Sequence, residues 1–338
     1  MISRPTKIND LASLGEYILS WSPELADITN RACADNPWFT TDTVHQSLKA
    51  IAEKFLNKAS LEKLLNQYED NGNESKTVAL ILAGNIPLVG FHDVLSVFLS
   101  GHRCIIKLSD KDKLLLPFLI DKLIEVNKDY QALFTFAERL KNFDAVIATG
   151  SNTSGNYFEK YFSQVPNIIR KNRNAVAILY NDITEDNLRL LGEDVFAYFG
   201  LGCRNVSKLY LEEGFDLKRI FQAILPYSEV SNHNKYMNNY DYNNALNLLN
   251  KQSFLTNDFL ILKEENAISS RIASLHFEYF SDINNLARDL NSKSDLIQCV
   301  VSDRDIEGLS IIPIGKAQCP ELMDYADNVD TMKFLISL

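Results

Sequence analysis

Cys203 stands in the run FAYFGLGCRNVSKLYL. An apolar, helix-like stretch with Val195, Phe196 and Phe199 ends at Gly200. Gly202 follows, then the cysteine, then a strand-like run from Ser207 to Leu211. A thiol at a glycine-lined turn between helix and strand can present its sulfur to a ligand while backbone N–H groups point at the same spot. That combination suits thiolate attack on a carbonyl. Most cysteines are small buried hydrophobes, so the rest of the chain has to carry the case.

Three more segments could carry chemistry. Gly84-Asn85-Ile86-Pro87 follows the strand-like TVALILA (77–83). Ligands of open α/β sheets bind beyond the carboxyl ends of strands, and an Asn side-chain N–H there can stabilise an oxyanion. The plainer alternative is a turn that starts a helix. Lys107-Leu108-Ser109-Asp110 also ends a strand. Lys107 can reach a phosphate or a ribose hydroxyl and Ser109 can donate a hydrogen bond; the plainer alternative is a solvated strand end. Thr149-Gly150-Ser151-Asn152-Thr153-Ser154-Gly155 lies between the strand DAVIA and a helix from Asn156. Small residues at such a turn expose N–H groups that suit a pyrophosphate.

These segments need a scaffold, and the apolar pattern supplies one. The first 70 or so residues are helical: Val44, Leu48, Ile51 and Phe55, then Leu61, Leu64 and Leu65, recur at helical spacing. Asn71–Ser75 (NGNES) is a linker by composition. Strand-like runs (77–83, 104–108, 144–148, AVAILY from 175, KLYL, 259–262, 296–301, 309–314) then alternate with helical ones (92–99, 114–126, 156–162, 188–199). Such alternation predicts βαβ units and a parallel sheet covered on both faces. The polar stretch 231–244 (SNHNKYMNNYDYNN) predicts an irregular surface loop.

Bulk properties narrow the classes. With 338 residues there is room for about two domains. Lys and Arg number 34 against 44 Asp and Glu, a net charge of −10, which argues against general nucleic-acid binding. Five scattered cysteines without a disulfide framework suit a reducing compartment. There is no apolar leader, no apolar run of the ~18 residues a membrane span needs, and no metal-ligand spacing. A cytoplasmic α/β protein is the expectation.

Order and context together make the four segments specific: they resemble the aldehyde dehydrogenase superfamily. The resemblance covers roughly residues 77–211, with 278–302 similar to a later strand–helix–strand. It implies an α/β, aldehyde-dehydrogenase-like fold with two Rossmann-like parallel-sheet domains and an N-terminal helical segment. The implied boundaries are 1–70 helical, 71–174 dinucleotide-binding, and 175–338 catalytic with the C-terminal tail. It implies Asn85 as the oxyanion donor and Cys203 as the nucleophile. Lys107, Ser109, Gly150, Ser151 and Gly155 are implied to contact the dinucleotide.

The departures point to one branch. Members that hydrolyse their acyl-enzyme carry a water-activating Glu, and the matching stretch here, Arg170–Asn174, holds none. Leu201 replaces a Gln, and Ser269 falls near the place of a ribose-gripping Glu, with Glu264 and Glu265 a few residues earlier. The chain most resembles a compact acyl-CoA reductase of the bacterial-bioluminescence type. That implies an acyl-CoA substrate, fatty acyl-CoA above all, and an acyl thioester on Cys203 that is reduced to the aldehyde. It implies NADPH as cofactor, although Asp110 would suit the ribose hydroxyls of NADH. It leaves room for a homo-oligomer or an acyl-transferring partner enzyme. Two alternatives stay open: an acyl-phosphate reductase of the same superfamily, and a catalytically silent partner-binding homologue. The sequence does not show what lowers the thiol's pKa: Arg204 is the next residue and Lys208 lies a few further on, and a nearby cation, local dipoles or the bound cofactor each stay open.

Overall fold

The computed structural model describes residues 2–69 and 74–338, which form two compact units: residues up to Asn172 together with Pro320–Leu338, and Arg173–Cys319. The expected linker at 71–75 lies largely outside the described residues.

The first unit opens with four helices, α1 (Arg4–Leu19), α2 (Pro23–Asp35), α3 (Thr41–Ala50) and α4 (Lys58–Leu65). Ser3, Ser22, Thr40 and Asn57 cap their N-termini with side-chain oxygens. A βα alternation follows: β1 (Thr77–Ile81), α5 (Phe91–Leu99), β2 (Arg103–Lys107), α6 (Leu115–Val126), β3 (Phe134–Phe136), β4 (Ala145–Thr149), α7 (Asn152–Tyr161) and β5 (Asn167–Arg170). The five strands pair in parallel in the order β3-β2-β1-β4-β5. The connectivity reverses between β1 and β4, the place where doubly wound sheets take ligands.

The second unit runs through β6 (Asn174–Leu179), α8 (Glu185–Phe196), β7 (Val206–Glu212), α9 (Leu217–Ile224), α10 (Asn234–Leu249), β8 (Leu255–Thr256), β9 (Ile261–Glu264), β10 (Ser274–Phe280), α11 (Ile283–Ser292), β11 (Ile297–Ser302) and β12 (Ile311–Pro313). Its seven-stranded sheet has the order β12-β11-β6-β7-β10-β9-β8, parallel except for the β8–β9 pair. The chain then closes with α12 (Thr331–Ile336) in the first unit.

Three expectations need correction. The N-terminal helices are no separate segment: Leu11, Leu48 and Leu61 share one apolar core with Val78 and Leu80 of β1. The tail from 320 belongs to the first unit, because Met332 and Leu335 enter that same core and the Leu335 carbonyl bonds His102 Nε2 at 2.8 Å. The stretch 231–244 is mostly α10. His233 caps it, and its buried stripe is Tyr236, Tyr240 and Asn243, at i, i+4 and i+7. Their polar tips are satisfied on Phe259 O (3.0 Å), Thr256 Oγ1 (2.7 Å) and Ile272 O (2.9 Å). A helical face made of tyrosine and asparagine leaves little hydrophobic periodicity to read.

Candidate active site

In the first unit the predicted residues gather on the loops that leave β1, β2 and β4, three adjacent strands of the sheet. Asn85, half-buried, follows β1. Its loop is held from two sides. Ser47 Oγ donates to Pro87 O at 2.8 Å, and Leu88 N–H donates to Asp112 Oδ2 at 2.7 Å. Burial pushes the Asp112 carboxyl up to about 6 against the pull of the Leu88 and Leu115 N–H groups. Gly84 is required: a Cβ there would lie 2.7 Å from Cβ and Oγ of Ser109. The Asn85 and Ser109 loops are therefore in direct contact. Lys107, the last residue of β2, and Asp110 are exposed. Ser109 Oγ accepts from Lys111 N–H at 3.3 Å.

Beyond β4 the helix starts earlier than predicted. Ser151 is its N-cap, its Oγ accepting from Ser154 N–H at 3.2 Å. Gly155 thus lies inside the first turn of α7. Its N–H donates to Ser151 O at 2.7 Å, and the absence of a Cβ admits the stem of Lys171, whose Cγ would come within 2.5 Å of one. Gly150 N–H likewise donates to Arg170 O at 3.1 Å. Any anion at this turn meets the first N–H groups of α7, which have no partner within the helix. The reversal point, the uncovered helix start after β4 and the exposed cation at the end of β2 together fit a dinucleotide.

The segment expected to lack a water-activating carboxylate is cationic and tied down. Buried Arg170 pairs with Asp93 (2.5 Å) and bonds Thr331 Oγ1 (3.0 Å). Lys171 pairs with Glu159 at 2.8 Å. Arg173 donates to Ser294 O at 2.7 Å.

In the second unit Cys203 is exposed on a tight turn that enters β7. It sits at the amino edge of the sheet, opposite to where a carboxyl-end rule would look. The turn runs from Gly202 to Asn205, closed by Asn205 N–H on Gly202 O at 3.3 Å, with Cys203 and Arg204 as its central residues. Just before it, Tyr198, Phe199 and Gly200 take left-handed φ values of 50°, 58° and 77°. The Phe199 ring lies 4.0 Å from that of His233, centroid to centroid. Asn205, which the sequence did not single out, bonds both sides of this turn. The available signal was an amide-bearing Asn at the close of a predicted turn.

Lys208 is engaged with acidic and carbonyl partners of the sheet. Its side chain is 0% exposed and bonds Glu278 Oε2 (2.6 Å) and the Glu265 carbonyl. Burial holds its pKa down against the pull of Glu278. Glu265 pairs with Lys263 at 2.9 Å, which holds its carboxyl low. Glu264 and Ser269 are exposed and Leu201 is half-buried.

These two α/β units define the architecture of the aldehyde dehydrogenases. The chain is similar to aldehyde dehydrogenase 21 from Physcomitrella patens, crystallised with the product succinate (TM-score 0.71, 11% identity, 99% of this chain and 84% of that one). It is similar to the P. syringae AldA indole-3-acetaldehyde dehydrogenase in complex with NAD+ (TM-score 0.67, 12% identity, 89% and 72%). It is also similar to an NAD+ complex of an aldehyde dehydrogenase from Bacillus cereus (TM-score 0.67, 10% identity, 89% and 72%). Beyond that shared fold, the chain belongs to the acyl-CoA reductase (LuxC) family, whose pattern it matches over residues 41–213, just over half its length. That span includes Asn85 and Cys203. A 95-residue stretch is 32% identical to the long-chain acyl-protein thioester reductase of Aliivibrio fischeri, covering 24% of this chain and 20% of that protein. Among the described residues no helix is long and apolar enough to cross a membrane.

Proposed function

We propose that this chain reduces an acyl-CoA, preferentially a fatty acyl-CoA, to the aldehyde, with Cys203 as nucleophile and NADPH as reductant. The observation that carries this is the pairing of an exposed, turn-held Cys203 with a segment 170–174 that offers no carboxylate and whose cations are already partnered. That segment therefore supplies no base to direct water at an acyl group on Cys203.

The Cys203 thiolate attacks the thioester carbonyl, and the side-chain N–H of Asn85 and the backbone N–H of Cys203 stabilise the oxyanion. The carbonyl re-forms as the C–S bond to CoA breaks, and CoA leaves as the thiolate. Lys107, Ser109, Gly150, Ser151 and the first turn of α7 would hold the dinucleotide, and Lys107 would favour a 2′-phosphate over the opposing charge of Asp110. When bound, the nicotinamide supplies a hydride. The thiohemiacetal on Cys203 then collapses, the Cys203–carbon bond breaks, the aldehyde leaves and the thiolate returns.

The test is mass spectrometry of the chain incubated with a fatty acyl-CoA without reductant, followed by NADPH absorbance. An acyl adduct on Cys203 is expected, absent in Cys203→Ala and formed about 10²–10³-fold more slowly in Asn85→Ala. NADPH oxidation driven by an acyl phosphate but not by acyl-CoA would refute the substrate. No adduct with either donor would point to a silent homologue.

A further inference from the structure

Asn205 makes more contacts than closing a turn requires. The residue is 2% exposed. Oδ1 accepts from Gly202 N–H at 2.7 Å. Nδ2 donates to Ala197 O at 2.6 Å and lies 3.4 Å from both Asp194 O and Val195 O. Through its backbone it donates to Gly202 O (3.3 Å) and accepts from Ala175 N–H (3.1 Å), which ties it to the amino end of β6. One residue thus joins the end of α8, the turn and the sheet.

Two physical needs meet here. The left-handed Tyr198 and Phe199 are strained, and such strain persists only where surrounding bonds over-determine it. Asn205 supplies bonds on both sides of the strained residues, at Ala197 and at Gly202. The second need is electrostatic. The last carbonyls of α8 form the negative end of a helix dipole, which opposes a thiolate nearby. The Nδ2 donor covers those carbonyls. Only a primary amide of this length offers an acceptor to Gly202 and donors to Ala197 together.

We propose that Asn205 is a positioning residue for Cys203: it locks the strained 197–202 segment so that the sulfur meets an acyl carbonyl in register. This rests on the thioester chemistry proposed above. Asn205→Ala removes both sets of bonds. Asn205→Asp keeps the acceptor and loses the donors.

The experiment follows acylation of Cys203 by a fatty acyl-CoA in the wild-type chain and both variants, alongside iodoacetamide alkylation across pH. Cys319, the other exposed thiol, is the internal reference, and circular dichroism checks folding. Acylation should fall about a hundredfold in Asn205→Ala and about tenfold in Asn205→Asp. The limiting alkylation rate at high pH, which needs no oriented carbonyl, should stay within about threefold of wild type relative to Cys319. The Asn205→Asp profile should move to higher pH, since an added carboxylate opposes the thiolate. Acylation within about threefold of wild type in a folded variant would overturn the proposal. So would alkylation that falls in step with acylation, which would mean a buried thiol. Failure of both variants to fold would assign Asn205 to stability alone. A wild-type chain that takes no acyl group would refute the functional proposal itself, and shows before any variant is made.

Discussion

At the scale of single residues, His102 is held by bonds to both of its ring nitrogens. Lys76 N–H donates to its Nδ1 at 3.1 Å, so Nε2 carries the proton that goes to Leu335 O at 2.8 Å. The Nδ1 bond requires the neutral ring, and burial holds its pKa below the ordinary 6.5 against the opposing pull of the Leu335 carbonyl. In the folded state it therefore resists protonation that the unfolded chain accepts. Its contribution is complete above about pH 6.5 and is lost as pH falls toward the depressed folded value. Asp112 and Asp194 act in the opposite sense. Their carboxyls are raised by burial from 3.8 to about 6, so their charged forms weigh on stability above that pH and the penalty fades below it. The His102 effect is isolated by difference. The stability of wild type minus that of His102→Gln, from urea unfolding, should be flat above pH 7.5 and shrink steadily between pH 6.5 and 5. A flat difference throughout would show that His102 can charge in place. Cys104 on β2, read as a core residue, is buried with its thiol pushed up, which leaves Cys203 and Cys319 as the exposed thiols.

At the scale of elements, α8 is shaped by what lies against it. Gly192 stands in its middle, where a Cβ would come within 2.0 Å of Tyr227 Cε2. That ring stacks on Phe196 with centroids 5.6 Å apart, and its hydroxyl bonds Glu193 Oε1 at 2.9 Å. Gly192→Ala gains about 1 kcal/mol of helix propensity but has to displace a ring held at both ends. A net loss of about 1–3 kcal/mol is expected from urea unfolding; a neutral or stabilised variant would show the ring to be loosely held. The segment after α8 shows why turn geometry escapes pattern reading. Gly200 announces one left-handed position, whereas Tyr198 and Phe199 announce none. The Asn205 bonds flank them at Ala197 and Gly202, and the ring of His233 lies against that of Phe199. The helix start at Ser151 was equally hidden. Asn152-Thr153-Ser154 has the composition of a turn, and it is the Ser151 cap that draws those residues into α7.

At the scale of the whole molecule, the tail is stitched into the first unit by polar bonds as well as by packing. Arg170, at the end of β5, reaches Asp93 on α5 and Thr331 at the start of α12, and His92 Nε2 bonds Leu322 O at 2.8 Å. Removing one partner of a buried pair leaves the other uncompensated. Arg170→Met should cost about 3–5 kcal/mol, and the double variant with Asp93→Leu should recover most of it. Chemical denaturation of the two variants decides this; a double variant as weak as the single one would show that Arg170 matters mainly through Thr331 and the tail.

The sequence by itself determined the alternation of strands and helices, the order of the Asn85, Lys107, Gly150 and Cys203 segments, and the missing carboxylate at 170–174. Each of these is written in local residue types and in spacings along one chain. Tertiary structure alone decided that the N-terminal helices and the tail share the first unit's core, that Gly155 packs on Lys171, that Lys208 is buried against Glu278, and that α10 is a helix on a polar stripe. These facts depend on bonds between residues far apart in sequence, which no local pattern encodes. The turn that presents Cys203 belongs to both kinds. Its glycines and cysteine are legible in order, but the hold on it comes from the Asn205 amide reaching back to Ala197 and Gly202, a geometry that exists only once α8 and β7 are packed together.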